Sequence, residues 1–98
     1  MTYPTHAAFA AQLGTAFEVS GAAEAVALQL DTVHPPAGDA SAPGPTSFSL
    51  VFLGDAVLRL GQGTHLFSHA RLGEFALFIV PLGPSRSDGR MQYEAVFN

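Results

Sequence analysis

The chain has 98 residues, a net charge of −4 and no cysteine. That length closes one hydrophobic core and is too short for two, so one domain is expected over residues 1–98. With the four arginines scattered at Arg59, Arg71, Arg86 and Arg90 and no lysine, there is no basic stripe to neutralise phosphates, and no nucleic-acid partner is expected. The absence of cysteine excludes disulfides, thiolate nucleophiles and cysteine-held zinc.

Charged residues make up 12% of the chain, about half the usual share for a soluble domain, whereas 48% are hydrophobic. Sixteen of the hydrophobic residues are alanine; the large ones are led by eleven leucines, eight phenylalanines and seven valines, enough for a packed core. So sparse a charge shell fits either a genome that favours alanine and arginine or a surface partly covered by other copies or by partners.

In chain order, residues 5–13 read as one short amphipathic helix. Thr5 is placed to cap it, Gly14 to end it in a left-handed conformation, and Phe9 and Leu13 form its apolar stripe. From Thr15 the apolar period becomes two. Strands are expected near 15–20, where Phe17 and Val19 alternate with Ala16 and Glu18, and 25–34, where Val26, Leu28 and Leu30 alternate with polar or small residues. Ser20 and Gly21 suit a hairpin between them.

Residues 35–46 carry Pro35, Pro36, Pro43 and Pro45 with Gly38 and Gly44, which deny ladder donors; this is a long surface loop. Four more strands follow near 47–53, 64–70, 74–82 and 90–97, each rich in Phe, Val, Ile or Tyr and bounded by Gly, Asp or Pro. The Leu72–Gly73 turn and the 83–89 loop join the last three as hairpins. Residues 48–53 and 75–80 are apolar on both parities, so both faces of these strands are expected to be covered. The fold class is mainly β: a small antiparallel six-stranded barrel or a compact sandwich, with one short N-terminal helix.

No catalytic, cofactor-binding or metal-binding residue is assigned, and no cofactor is expected. His65 and His69 have a spacing that binds zinc on a helix, but on a strand they lie roughly 13 Å apart. Ser47, Ser49 and Ser68 lie near these histidines, with acids at Asp55 and Glu74, yet none occupies a nucleophile elbow. Gly61 and Gly63 resemble a phosphate cradle but lack its lysine and following helix, and a hairpin turn accounts for them. Of the eight acids, Glu94 stands out between Tyr93 and Ala95, and is expected to be an outward-facing edge charge. The chain ends inside a strand without lysine gatekeepers, so a sheet edge is available to a partner.

The 1–13 segment lacks a basic start and a run of large apolar residues, and the longest dense apolar run, 75–82, contains Pro81. No signal peptide, no membrane span and no membrane partner are therefore expected. The location expected is the cytoplasm, or an extracellular or virion-like assembly released without a signal peptide.

Phe9 with 13–17 (LGTAF), 48–52 (FSLVF), 62–69 (QGTHLFSH), 72–84 (LGEFALFIVPLGP) and 93–98 (YEAVFN) together resemble a short bacterial family of domains of unknown function. Such proteins are often encoded beside phage tail-collar-like or tail-fibre-like proteins. The resemblance implies a structural or accessory role in a phage-derived assembly and brings no catalytic residues. The function expected is a non-catalytic structural or protein-interaction module that self-associates or packs on a protein partner. The alternative is a small-molecule or carbohydrate-binding barrel that uses the barrel mouth or the 34–46 loop, with Tyr93 or His65 as contacts.

Overall fold

In the computed structural model, residues 4, 6–20, 25–34, 48–55 and 60–97 are described. They form a helix α1 (His6–Ala10) and six strands: β1 (Ala16–Ser20), β2 (Ala25–His34), β3 (Phe48–Gly54), β4 (Gly63–His69), β5 (Gly73–Pro84) and β6 (Met91–Phe97). Every pairing is antiparallel, and the ring closes in the order β1-β2-β3-β6-β5-β4. Of the two architectures expected, the chain adopts the barrel. Closure gives each described strand two neighbours, so the free edge expected at the chain's end is absent: β6 lies between β3 and β5. Residues 35–46, expected as a long loop, lie outside the described set, as do Thr5 and Ser47.

Period-two alternation decides what faces inward. Phe17 and Val19 of β1, and Val26, Leu28 and Leu30 of β2, are buried, while the residues between them are exposed. A bulge between Leu30 and Thr32 inserts one extra residue into β2 and turns Val33 back toward the core. On β5 a second irregularity falls between Pro81 and Gly83, where proline has no N–H to give the ladder.

The helix is shorter than the 5–13 expected. After Ala10 the backbone tightens, with Gln12 N–H donating to Phe9 O and Leu13 N–H to Ala10 O; Gly14 N–H then leaves the helix for Leu30 O at 2.8 Å. Phe9 is fully buried, but Leu13 is swung out and 51% exposed, so the expected Phe9–Leu13 stripe does not exist.

The doubly apolar strands differ from each other. On β3, Leu50 and Phe52 face the core, while Val51 and Leu53 face outward and are still buried, flanked in the register by Thr32 and Glu94 and by Gln29 and Gln92. On β5, Phe75, Leu77 and Ile79 face inward, but Phe78 on the outer face is 53% exposed. Coverage of both faces therefore holds for β3 and fails for β5.

Rings fill one end of the barrel. Phe9 enters from the helix and lies 5.7 Å from Phe75, 6.2 Å from Phe48 and 6.3 Å from Phe17 between ring centroids, with Phe52 and Phe67 continuing the stack inside. At the opposite end the chain passes from β3 to β4, two strands that sit across the ring from each other. Gly61 and Gly63 therefore end a crossover instead of forming the expected hairpin turn, because β4 pairs with β1 and β5 and never with β3. Buried Leu60 closes this end, its N–H donating to the Tyr93 hydroxyl at 2.8 Å. Gly54 lies so close that a Cβ there would stand 2.5 Å from Leu28 Cδ2 and 3.2 Å from Tyr93 Cε2.

Candidate functional site

The polar residues singled out in the sequence fall on different surfaces and do not converge. His65 and His69 share the inward parity of β4, whereas Ser68 faces out between Glu18 of β1 and Glu74 of β5 in the register. Ser49 is half-buried on β3, and Asp55 is exposed just beyond that strand. Asp31 accepts from the Thr32 hydroxyl, and Asp88 pairs with Arg90 at 2.7 Å. The two N–H donors of Arg90, on its backbone and its side chain, hold the Asp88 carboxyl below its ordinary pKa. Glu94 faces outward, as expected, but it is half-buried and sits on no edge, because the ring is closed. Among the described residues no three His, Cys, Asp or Glu side chains gather to hold a metal ion, and no helix is long and apolar enough to cross a membrane.

Each histidine of the pair instead fastens one end of β4 to a connection. His65 Nε2 bonds the Gly61 carbonyl at 2.8 Å and ties down the arriving crossover. His69 lies at the other end, where the β1–β4 ladder stops at Glu18–Ser68. Its Nδ1 accepts from the backbone N–H of Arg71 at 3.0 Å and of Leu72 at 3.3 Å. Its Nε2 is 2.9 Å from Thr15 Oγ1, and that hydroxyl already donates to Gln12 O at 2.6 Å, so Nε2 must be the donor. The bonds on both ring nitrogens thus select one neutral tautomer. The ring also packs on Phe17 at 4.3 Å between centroids. Burial, and secondarily the Arg71 guanidinium, hold its pKa below the ordinary 6.5. Nothing in the sequence distinguished these roles, because each depends on a residue far along the chain or across a turn.

Tyr93 and His65, the contacts expected for a ligand in the barrel mouth, are both engaged. Tyr93 is fully buried with its hydroxyl accepting from Leu60, and His65 holds Gly61. The interior around them is filled by fully buried Phe17, Phe52, Phe67, Leu28 and Ile79.

On the outside of the barrel two sides contrast. On β4, β5 and β6, Leu66 (41% exposed), Phe78 (53%) and Val96 (56%) project outward, with half-buried Ala76 and Val80 among them. In the register, Leu66 faces Ala76 across the β4–β5 ladder, one diagonal from Phe78. Val96 lies two residues beyond Glu94 on the outer face of β6, and Phe78 two residues before Val80, which pairs with Glu94. Around the ring, β1 and β2 carry small outer residues instead. Ala16, Ala25 and Ala27 line a groove of about 530 Å³, with Glu18, Ser68 and His69 at its border. The sequence signal for the first side was present as the second apolar parity of 75–80, but it was indistinguishable from burial.

The chain belongs to the family described as Domain of unknown function (DUF6916), whose model matches residues 4–97. No curated protein and no solved structure matches it.

Proposed function

We propose that this member of the DUF6916 domains is a non-catalytic structural or protein-interaction module, a rigid barrel that packs on itself or on a protein partner through its outer surface. The observation that carries this reading is the apolar outer face of β4, β5 and β6, with Leu66, Phe78 and Val96 each more than two-fifths exposed on a chain that has few charges to keep copies apart. Support for the non-catalytic part comes from the dispersal of its polar side chains: Ser68 lies on the face opposite His65 and His69, and both histidines have their Nε2 atoms committed. For small-molecule or carbohydrate binding, the alternative, the described residues offer the outer groove, with the core occupied by side chains; the 34–46 loop of that reading lies almost wholly outside the described residues.

A finer reading follows from the resemblance: the module is a component of, or accessory to, a bacterial phage-derived tail-like assembly. Light scattering on a size-exclusion column over about a hundredfold concentration range tests the self-association arm. The expected result is a mass above the 10.2 kDa monomer that falls to the monomer in Phe78→Asp. A wild-type chain that stays monomeric throughout overturns self-association. Failure to co-purify with a co-expressed tail-collar-like protein would then remove the tail-like reading as well.

A further inference from the structure

We propose that His69 is an acid-sensitive latch: protonation of its Nδ1 releases the Arg71 and Leu72 amides of the β4–β5 turn and loosens the barrel along the β1–β4 seam, where the ring packs on Phe17. The inference does not depend on what the outer face binds.

The seam is held by few groups. Among the described residues β1 and β4 pair over Glu18–Ser68, Val19–Phe67 and Ser20–Leu66, and no ladder joins the two strands from Phe17 back toward the helix. There the His69 ring occupies the interval, against Phe17 on one side and bonded to Thr15 through Nε2. Through Thr15 Oγ1 it reaches Gln12 O, the last turn after α1, and through Nδ1 it gathers the Arg71 and Leu72 amides. One side chain therefore joins three segments of the chain.

The chemistry of these bonds is asymmetric toward a proton. Nε2 already donates, and a second proton leaves that bond in place. Nδ1 accepts, and a proton there turns both backbone N–H groups into donors facing a donor, with nothing to accept them. His65 differs in this respect, because its bond to the Gly61 carbonyl is one in which the ring donates. Among the described residues, the charged groups nearest His69 in the register and the groove are Arg71 on its own turn, which opposes a second positive charge, Glu18 on β1, which lines the same groove, and Glu74 on β5, paired with neighbouring Ser68; Gln12 and Thr15 of the helix turn are uncharged. Burial of the ring acts in the same direction as Arg71.

The sign follows from linkage. The folded pKa is depressed, so the open form binds the proton more tightly; the latch has its full strength above pH 6.5, loses it as pH falls from there to the ring's own lower value, and changes no further below that.

The test is NMR on the whole chain between about pH 8 and about pH 5, a range that brackets the ordinary imidazole pKa. It follows the His69 ring nitrogens and the exchange protection of the Arg71, Leu72 and Leu60 amides. At the high end Nδ1 is expected to carry no proton. Protection at Arg71 and Leu72, corrected for intrinsic exchange, should then fall by up to about tenfold per pH unit between 6.5 and the ring's own pKa. Leu60, at the far end of the barrel, should hold its protection. In His69→Gln, whose amide accepts and donates without titrating, the fall should vanish. The inference is overturned if Nδ1 is protonated at neutral pH, or if His69 titrates while Arg71 and Leu72 keep their protection; both readouts come from the wild-type chain and survive a variant that does not fold.

Discussion

At the helix end of the barrel Phe9 sits among Phe17, Phe48 and Phe75, whereas at the far end Leu60 hangs by its backbone N–H from the Tyr93 hydroxyl beside Gly54. The first closure is made of area. Rings at 5.7 to 6.3 Å between centroids gain by contact and tolerate small shifts, so what matters there is volume. The second is made of placement. A single oxygen satisfies a buried N–H, and one missing Cβ lets β3 lie against Leu28 and Tyr93. A ring cap is generous about where each atom sits; a hydrogen-bonded crossover is not.

Three substitutions sharpen the contrast. Phe9→Ala should have the largest effect, about 3–5 kcal/mol in urea unfolding, because it removes a fully buried ring and leaves a cavity among its neighbours. A loss below about 1 kcal/mol would mean that the helix does not close the barrel. Gly54→Ala adds only a methyl, yet its Cβ would lie 2.5 Å from Leu28 Cδ2, and both Leu28 and Tyr93 are fully buried. Overpacking of this kind should cost about 1–3 kcal/mol, read as a fall in the thermal midpoint. Tyr93→Phe is the smallest change, keeping the ring and removing the acceptor, and should cost about 1–2 kcal/mol. Its signature is local: the Leu60 amide should lose exchange protection beyond the global fall, while amides around Phe9 follow the global value alone. Equal loss at both ends would erase the distinction drawn between them.

Much of the fold was legible in the chain because it is written in local periods. Phe17 and Val19, then Val26, Leu28 and Leu30, announce half-buried strands residue by residue, and Leu72–Gly73 announces a hairpin, with Gly73 at a φ of 81° in the left-handed region. The spacing of Leu13 from Phe9 predicts a longer helix than the chain forms, because spacing cannot show that Gly14 N–H leaves for Leu30 O. The hairpin assigned to Gly61 and Gly63 failed for a related reason: glycines mark a change of direction without saying which strand comes next. The exclusion of a two-histidine zinc site needed only strand rise. The part each histidine plays in holding β4 needed partners at Gly61, Thr15, Arg71 and Leu72, which no spacing rule combines.

By itself, then, the sequence determined the class of fold, the inward parity of β1 and β2, and the lack of a basic or cysteine-based chemistry, since these follow from side-chain type and the two-residue repeat of a strand. Closure of the ring, the crossing of the β3–β4 connection, and the difference between covered β3 and open β5 were decided only in three dimensions. Val51 and Phe78 look alike in the chain; one lies between Thr32 and Glu94 in the ring, the other on an outer face whose neighbours leave it half in water. Burial is a property of neighbours, and in a barrel most neighbours come from other strands.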